Sequence, residues 1–180
     1  MTASSRVITR RAALAAGLAV AAGLTLSPRP ARASEVTVGD LVLEVPTGVV
    51  AADPGEPLGR NWQWRGSTDD SQITPRGVVL ARADLDTAEP VEVLGLLLAS
   101  TAAGLLPGIQ LTGRRSRVVQ GSQQTRFAVS YALDRSRRYT GELVIAERAE
   151  APSGLVVVLG DATVPTSFVV GVLDSVRWRR

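Results

Sequence analysis

The pattern of apolar and polar positions after residue 33 is that of a sheet-rich domain. Apolar and polar residues alternate from Val36 to Val45, as in a half-buried strand, and the alternation ends at the turn sequence Pro46-Thr47-Gly48. Polar segments with Gly or Pro predict loops over 49–59 and 66–75. Further strands are predicted over 61–65, 77–83, 109–119, 123–133, 138–148, 155–160 and 174–179.

The connections between these strands predict their arrangement. Tight turns at 120–122 and 134–137 would join three long strands into an antiparallel meander. In the middle strand, Phe127, Val129 and Tyr131 should share one face. The run 155–160 is apolar on both faces, which indicates a strand in the centre of the sheet.

Two segments carry helical signals. Asp86-Thr87 followed by Pro90 predicts a helix start, and a stripe of apolar residues continues to about Ala103. Thr163 is expected to cap a second, short helix from Pro165 to about Leu173. The chain is therefore predicted to have an α+β fold, a curved, mainly antiparallel sheet of about six to seven strands with two flanking helices.

The first 33 residues have the pattern of an export signal peptide. Arg10 and Arg11 precede an apolar run that is short for a membrane span, and Ala31 and Ala33 form a small-x-small cleavage site. The paired arginines favour the twin-arginine type; a general secretory signal and an uncleaved anchor are the alternatives. We therefore expect a signal over 1–33, a single α+β domain over 34–180, and a membrane role during export only.

The net charge changes from positive to slightly negative once the signal is set apart. All 20 basic residues are arginine, and five of them lie in the signal, so 15 remain in the mature chain against 17 acidic residues. The basic character of the whole chain thus belongs largely to the signal, and no binding to nucleic acid is expected. The absence of cysteine predicts a fold without disulfides and a mature protein that is not lipid-anchored.

The residue types present leave few routes to catalysis. Without His or Cys, the usual metal sites and nucleophile pairs cannot be built, so we predict no catalytic, metal or cofactor-binding residues and no enzyme activity. Asp69-Asp70 is the adjacent acidic pair of the mature domain. It lies in a polar segment, where a solvated loop is expected rather than a calcium or acid–base site.

A pair of tryptophans is a candidate interaction site. Trp62 and Trp64 lie two residues apart in a predicted strand, so both should face the same side. There they could form a stacking platform for a sugar ring or for a side chain of a partner. The alternative is that they fill the core.

Arginines on the predicted meander are a second candidate. Arg114 could approach the second turn, which carries Arg135, Arg137 and Arg138. Together these groups could bind a phosphate or an acidic envelope polymer. The alternative is an exposed sheet face on which arginines pair with Glu142 and Glu147 across strands.

The order of elements resembles the PsbP/Mog-like fold, and within it the secreted actinobacterial proteins of the LpqN/LpqT type. The segment 43–48 ending in Pro-Thr-Gly, the apolar helix ending at 105–108, the long meander and the closing segment 172–178 carry this resemblance. It implies a protein-binding or assembly role, because known members of the fold mostly act in that way.

These observations predict an exported, non-enzymatic binding or assembly module of the bacterial cell envelope, secreted or extracytoplasmic. It would contact an envelope protein or polymer through the loops 46–60 and 66–75 and the arginine-bearing turn. A carrier of a small apolar or anionic ligand is the alternative, with a pocket lined by Leu94, Leu98, Phe127 and Tyr131. A carboxylate-based hydrolase is the third possibility.

Overall fold

The computed structural model describes residues 33–52, 62–69, 76–86, 89, 92–93, 109–132, 138–148 and 152–180. All of them belong to one compact unit, Ala31–Arg180. Of the predicted signal residues, Ala33 is exposed at the start of the described chain, whereas Arg10, Arg11 and Ala31 lie outside the described residues. Across the described ranges, no helix is both long enough and apolar enough to cross a membrane.

The described elements are ten strands and a helix. In chain order they are β1 (Ser34–Val38), β2 (Leu41–Val45), β3 (Val50–Ala52), β4 (Trp64–Ser67), β5 (Gly77–Leu85), β6 (Gln110–Val119), β7 (Ser122–Ala132), β8 (Arg138–Ala146), β9 (Ser153–Gly160), α1 (Thr166–Ser175) and β10 (Arg177–Trp178). Seven strands form a large sheet in the order β3-β4-β5-β9-β8-β7-β6, and the other three form a small sheet in the order β1-β2-β10. All strand pairs are antiparallel.

The large sheet has an apolar cluster on each face. On one face, the small sheet and α1 pack through Leu41, Leu43 and Val172 against Val144 and Val156 of the large sheet. On the other face, Phe127, Val129 and Tyr131 lie together as the alternation of β7 predicted. Every residue of β9 is buried between β5 and β8, so the prediction of a central strand is confirmed.

The predicted strand over 36–45 is a hairpin instead. Val38 pairs with Leu41 across the two-residue loop Gly39-Asp40, and Gly39 has a φ of +55°, a conformation that favours glycine. The hairpin then pairs with β10 rather than with the large sheet. The described strands therefore form two sheets, and the expectation of a single curved sheet is wrong.

The helices also differ from the sequence prediction. Within the described ranges one helix is delimited, α1, instead of two flanking helices. The first predicted helix falls mostly outside the described residues; of its length only Glu92 and Val93 are described as helical. Thr163 does not cap α1. Its backbone N–H and hydroxyl both donate to Asp161 Oδ1, at 2.8 and 2.6 Å, which closes the turn before the helix.

Candidate functional site

The candidate site is built around Trp178, which the small sheet holds at the surface. Buried Val176 ends α1, and the next two residues pair with β2, which places Trp178 opposite Leu41. The indole Nε1–H of Trp178 donates to the Glu147 carbonyl at 3.1 Å, and the Arg148 guanidinium carbon lies 5.3 Å from the ring centroid. The hydrogen bond and the cation–π contact fix the orientation of the half-buried ring.

Two open clefts share Trp178. One, of about 330 Å³, is lined by residues 120–123, Glu147, Arg148 and Trp178. The other, of about 240 Å³, is lined by Glu35, Val42, Gln120 and residues 177–180. Because Gln120 and Trp178 line both clefts, we treat the two as one region, the Trp178 surface.

Two of the arginines that line the Trp178 surface, Arg148 and Arg177, are paired with carboxylates. Arg148 bonds Asp40 at 2.6 Å, and Arg177 bonds Glu35 at 2.7 Å and Glu44 at 3.1 Å. The hydrogen bond and the charge of Arg148 hold the pKa of Asp40 below its usual value. The region thus presents an aromatic ring bordered by hydrogen-bonding groups, with Arg148 and Arg177 held by carboxylates and Arg179 bonded to the Thr37 hydroxyl at 3.2 Å.

No family model matches the sequence, and the comparison with curated proteins gave no match. Among solved structures, the solution structure of cyanobacterial PsbP (CyanoP) from Synechocystis aligns with a TM-score of 0.54, over 84% of this chain and 95% of that chain, at 12% identity. The chain has a PsbP-like fold. The predicted resemblance to PsbP is therefore confirmed, and at this identity the match establishes the fold alone.

Two further structures align with this PsbP-like chain at lower scores. LpqN, described as involved in cell envelope biogenesis of Mycobacterium tuberculosis, has a TM-score of 0.42 and 17% identity, over 80% of this chain and 84% of its own. PA94 from Pseudomonas aeruginosa, described as a protein of unknown function and putative regulator, has a TM-score of 0.36 and 15% identity, over 73% and 84%.

Two arginines of the PsbP-like sheet hold the C-terminal end of α1. Arg117 and Arg126 both donate to the Leu173 carbonyl, at 3.2 and 2.7 Å, and to Asp174 Oδ1, at 2.8 and 2.7 Å. Buried Gln124 accepts from Arg117 and donates to the Val176 carbonyl at 2.8 Å. Cations beside the free carbonyls of a helix end are stabilising, so this cluster has a structural role.

The Asp174 contacts predict a pH-dependent contribution to stability. Burial raises the pKa of Asp174, but the hydrogen bonds and charges of Arg126 and Arg117 lower it more, so the net shift is downward. The contribution is therefore complete above the unfolded-state pKa of about 3.9 and is lost as the pH falls through the folded-state pKa.

We expect Asp174→Asn to lower the free energy of unfolding at pH 7 by about 1 kcal/mol, since the carboxylate is half exposed. The difference from the wild type should shrink below about pH 4, as urea denaturation across the pH range would show. Asp84→Asn, which removes the exposed pair with Arg82 on β5, is the matched control with a small effect. A difference for Asp174→Asn that is constant down to pH 2 would contradict this account.

The structure does not bring Trp62 and Trp64 together. Trp62 precedes β4 and packs against the cluster that contains Phe127, whereas Trp64 packs against the cluster that contains Leu43. These clusters lie on opposite faces of the large sheet, so the prediction that both rings face the same side is wrong. The alternation argument failed because the strand begins at Trp64.

The meander arginines are also spread apart. Arg114 is exposed next to Arg115, which pairs with Arg126 of β7. Arg138 pairs with Ala132, six residues further along β7, which corresponds to about 20 Å. The register therefore separates Arg114 from Arg138, so the prediction that these two arginines lie together is wrong. Arg135 and Arg137 lie outside the described residues.

The structure describes some of the acidic residues and pocket residues that the sequence singled out. Arg126 lies 3.9 Å from Glu142, the cross-strand pairing expected of a structural sheet face. Asp69 accepts a bond from the backbone of Arg76 at 2.9 Å, while Asp70 lies outside the described residues. Of the predicted carrier pocket, Phe127 and Tyr131 are buried in the core, and Leu94 and Leu98 lie outside the described residues.

Sequence reasoning missed the Trp178 surface although part of the signal was visible. The sequence predicted a final strand over 174–179, which contains Trp178. The partners of the ring, Glu147 and Arg148, directly follow β8, about thirty residues earlier in the chain. The pairing of β10 with β2 places Trp178 beside Glu147 and Arg148. That pairing depends on the β1–β2 hairpin, which the sequence pattern did not predict.

Proposed function

We propose that the chain is an exported, non-enzymatic binding or assembly module of the bacterial cell envelope, and that its Trp178 surface binds an envelope polymer rich in hydroxyl groups. One observation carries the proposal: an oriented indole lines two open clefts bordered by amide, hydroxyl, carboxylate and guanidinium groups. An aromatic ring combined with a few polar groups at fixed positions is typical of ligand sites in proteins.

The paired charges favour hydroxyl groups over a polyanion as the ligand. Arg148 and Arg177 already hold carboxylates, so a polyanion would have to displace these carboxylates or be repelled by them. Sugar hydroxyls both donate and accept, so they can bond to a guanidinium and to a carboxylate without breaking the pair. The apolar face of a sugar ring would then lie against the part of the indole that Arg148 and the apolar cluster leave exposed.

Carboxylate chemistry has less support than binding. A general acid at neutral pH needs a raised pKa, whereas the displaced carboxyl pKa values in the described part of the chain, those of Asp40, Asp161 and Asp174, are all lowered. At Asp161 the hydrogen bond from the Thr163 hydroxyl is the main cause of the lowered pKa.

The export part of the proposal is supported by the signal pattern over 1–33, with its paired Arg10 and Arg11.

The binding proposal predicts that the protein sediments with insoluble cell walls. Trp178→Ala should lower the bound fraction, with an apparent affinity about tenfold weaker, because an aromatic ring contact is worth roughly 0.5–1.5 kcal/mol. The assay mixes the protein, purified from the organism that makes it, with walls from the same organism. Thermal unfolding of the variant is measured alongside, to separate binding from stability.

The control for this assay is Val170→Thr, which changes an exposed side chain of α1 that lines neither cleft of the Trp178 surface. It should bind walls as the wild type does. Equal sedimentation of the wild type and Trp178→Ala would overturn the assignment of the Trp178 surface. Failure of the wild type to sediment with walls would overturn the polymer-binding function itself.

A further inference from the structure

A second surface is available at the edge of the large sheet. Among the described strands, β6 pairs with β7 only and so ends the sheet, and it is ten residues long, whereas the opposite edge, β3, has three. A bulge at Gly113, whose φ is +64°, interrupts the pairing between Thr112 and Arg115. The regular segment after the bulge, Arg115–Val119, is called the β6 edge below. The main-chain groups on the outer side of such a segment can pair with another strand.

The charge of the β6 edge is positive on one face. Neither β6 nor β7 contains an acidic residue. Arg115 and Arg117 lie on the face that carries α1, where Arg117 and Arg126 share one oxygen of Asp174. Glu142, 3.9 Å from Arg126, is the other carboxylate in ion-pair range. Three arginines, Arg115, Arg117 and Arg126, therefore meet two carboxylates on this face of the described chain, which leaves an excess of positive charge.

The opposite face of the β6 edge is apolar at its exposed end. Val118 is 72% exposed, the largest value among the exposed large hydrophobic side chains of the described chain. Ser116, on the same face as Val118, lies 3.3 Å from Thr125 of β7. An added strand would thus meet arginine on one face and valine on the other.

We propose that the β6 edge binds an extended segment of a protein partner in which acidic and apolar residues alternate, and that this segment adds to the large sheet as an eighth strand. Main-chain hydrogen bonds would supply affinity, and the alternation would supply specificity. Acidic side chains would face Arg115 and Arg117, and an apolar side chain would cover Val118. A second copy of this chain is a poor occupant, because antiparallel pairing of two β6 edges sets arginines against arginines.

The test uses an acetylated, amidated nonapeptide of alternating aspartate and valine, labelled for fluorescence anisotropy. A control peptide has the same composition with all aspartates before all valines. The alternating peptide should bind the protein, more weakly at higher salt, and the block peptide should bind at least about tenfold more weakly. Equal binding of the two peptides would overturn the proposal, because it would mean that charge alone attracts the peptide.

Variants of exposed residues locate the binding. Arg115→Glu and Val118→Asp should each weaken binding of the alternating peptide by about tenfold or more. Arg115→Glu places a negative charge against the acidic side chains of the peptide. Val118→Asp adds a negative charge and removes the apolar contact. Arg138→Glu, a charge reversal at an exposed position on β8, is the matched control and should leave binding unchanged. Unchanged binding by Arg115→Glu would overturn the proposal. It would also be overturned if the wild type formed a dimer that Val118→Asp dissociates, because the β6 edge would then bind a second copy of the chain. Trp178→Ala should not affect this peptide.

Discussion

Gly141→Ala is expected to destabilise the domain by about 3 kcal/mol, because the added methyl group has no room. Gly141 lies within β8, paired with Val129 on one side and Leu159 on the other. A Cβ at this position would collide with the Val158 carbonyl oxygen, well inside any real contact distance. Since that oxygen belongs to the backbone of the central strand, relief requires the β8–β9 pairing itself to shift.

Urea denaturation followed by circular dichroism would measure this loss. The matched control is Gly171→Ala in α1, where a Cβ would meet nothing within 4 Å. Alanine is the better helix former, so this variant should gain about 0.5–1 kcal/mol. If Gly141→Ala unfolded at the urea concentration of the wild type, the spacing of β8 and β9 described above would be wrong.

Replacing Arg10 and Arg11 together by lysine is expected to stop export. A twin-arginine signal is recognised by a receptor, and lysine lacks the planar fork of donors that arginine presents. The charge of the signal is unchanged, so a general secretory signal would tolerate the same change. Immunoblots of cytoplasmic, envelope and medium fractions should show the double variant in the cytoplasm only.

The signal supplies its own control for this experiment. Arg29→Lys with Arg32→Lys changes two arginines of the same signal near the cleavage site, away from the pair. This variant should be exported normally. Undiminished export of the Arg10/Arg11 double variant would show that the general secretory route is used instead.

The sequence predicts the long meander well and the small sheet poorly, for a physical reason. β6, β7 and β8 are nine to eleven residues long, and the middle strand, β7, alternates between buried and more exposed residues over much of its length. In the first hairpin each strand has five residues, and apolar residues stand on both sides of Gly39-Asp40. A two-residue Gly-Asp loop is itself a hairpin signal, and it would have divided the predicted strand correctly.

The candidate site was harder to predict because its members are distant in sequence. Asp40, Gln120, Arg148 and Trp178 come from four separate parts of the chain, and only the docking of the small sheet beside the β7–β8 end brings them together. Local alternation instead favoured Trp62 and Trp64, which the sheet separates. Pairing between distant strands was the missing information.

The Trp178 surface and the β6 edge suggest how one small domain would serve in assembly. The first would hold a hydroxyl-rich polymer, and the second would hold an acidic strand of a protein. The two surfaces use different residues, so variants at Trp178 and at Arg115 should act independently. A protein with both activities would connect an envelope polymer to a protein partner.

The most direct test of the account uses the indole N–H signals of the chain, which has three tryptophans. In nitrogen-15 NMR spectra of the labelled protein, single Trp→Phe variants assign the three signals. Soluble glycan fragments released from the cell wall of the same organism are then added. The account predicts that the Trp178 signal moves while those of Trp62 and Trp64 stay in place. Movement of the Trp62 or Trp64 signal with a stationary Trp178 signal would contradict it.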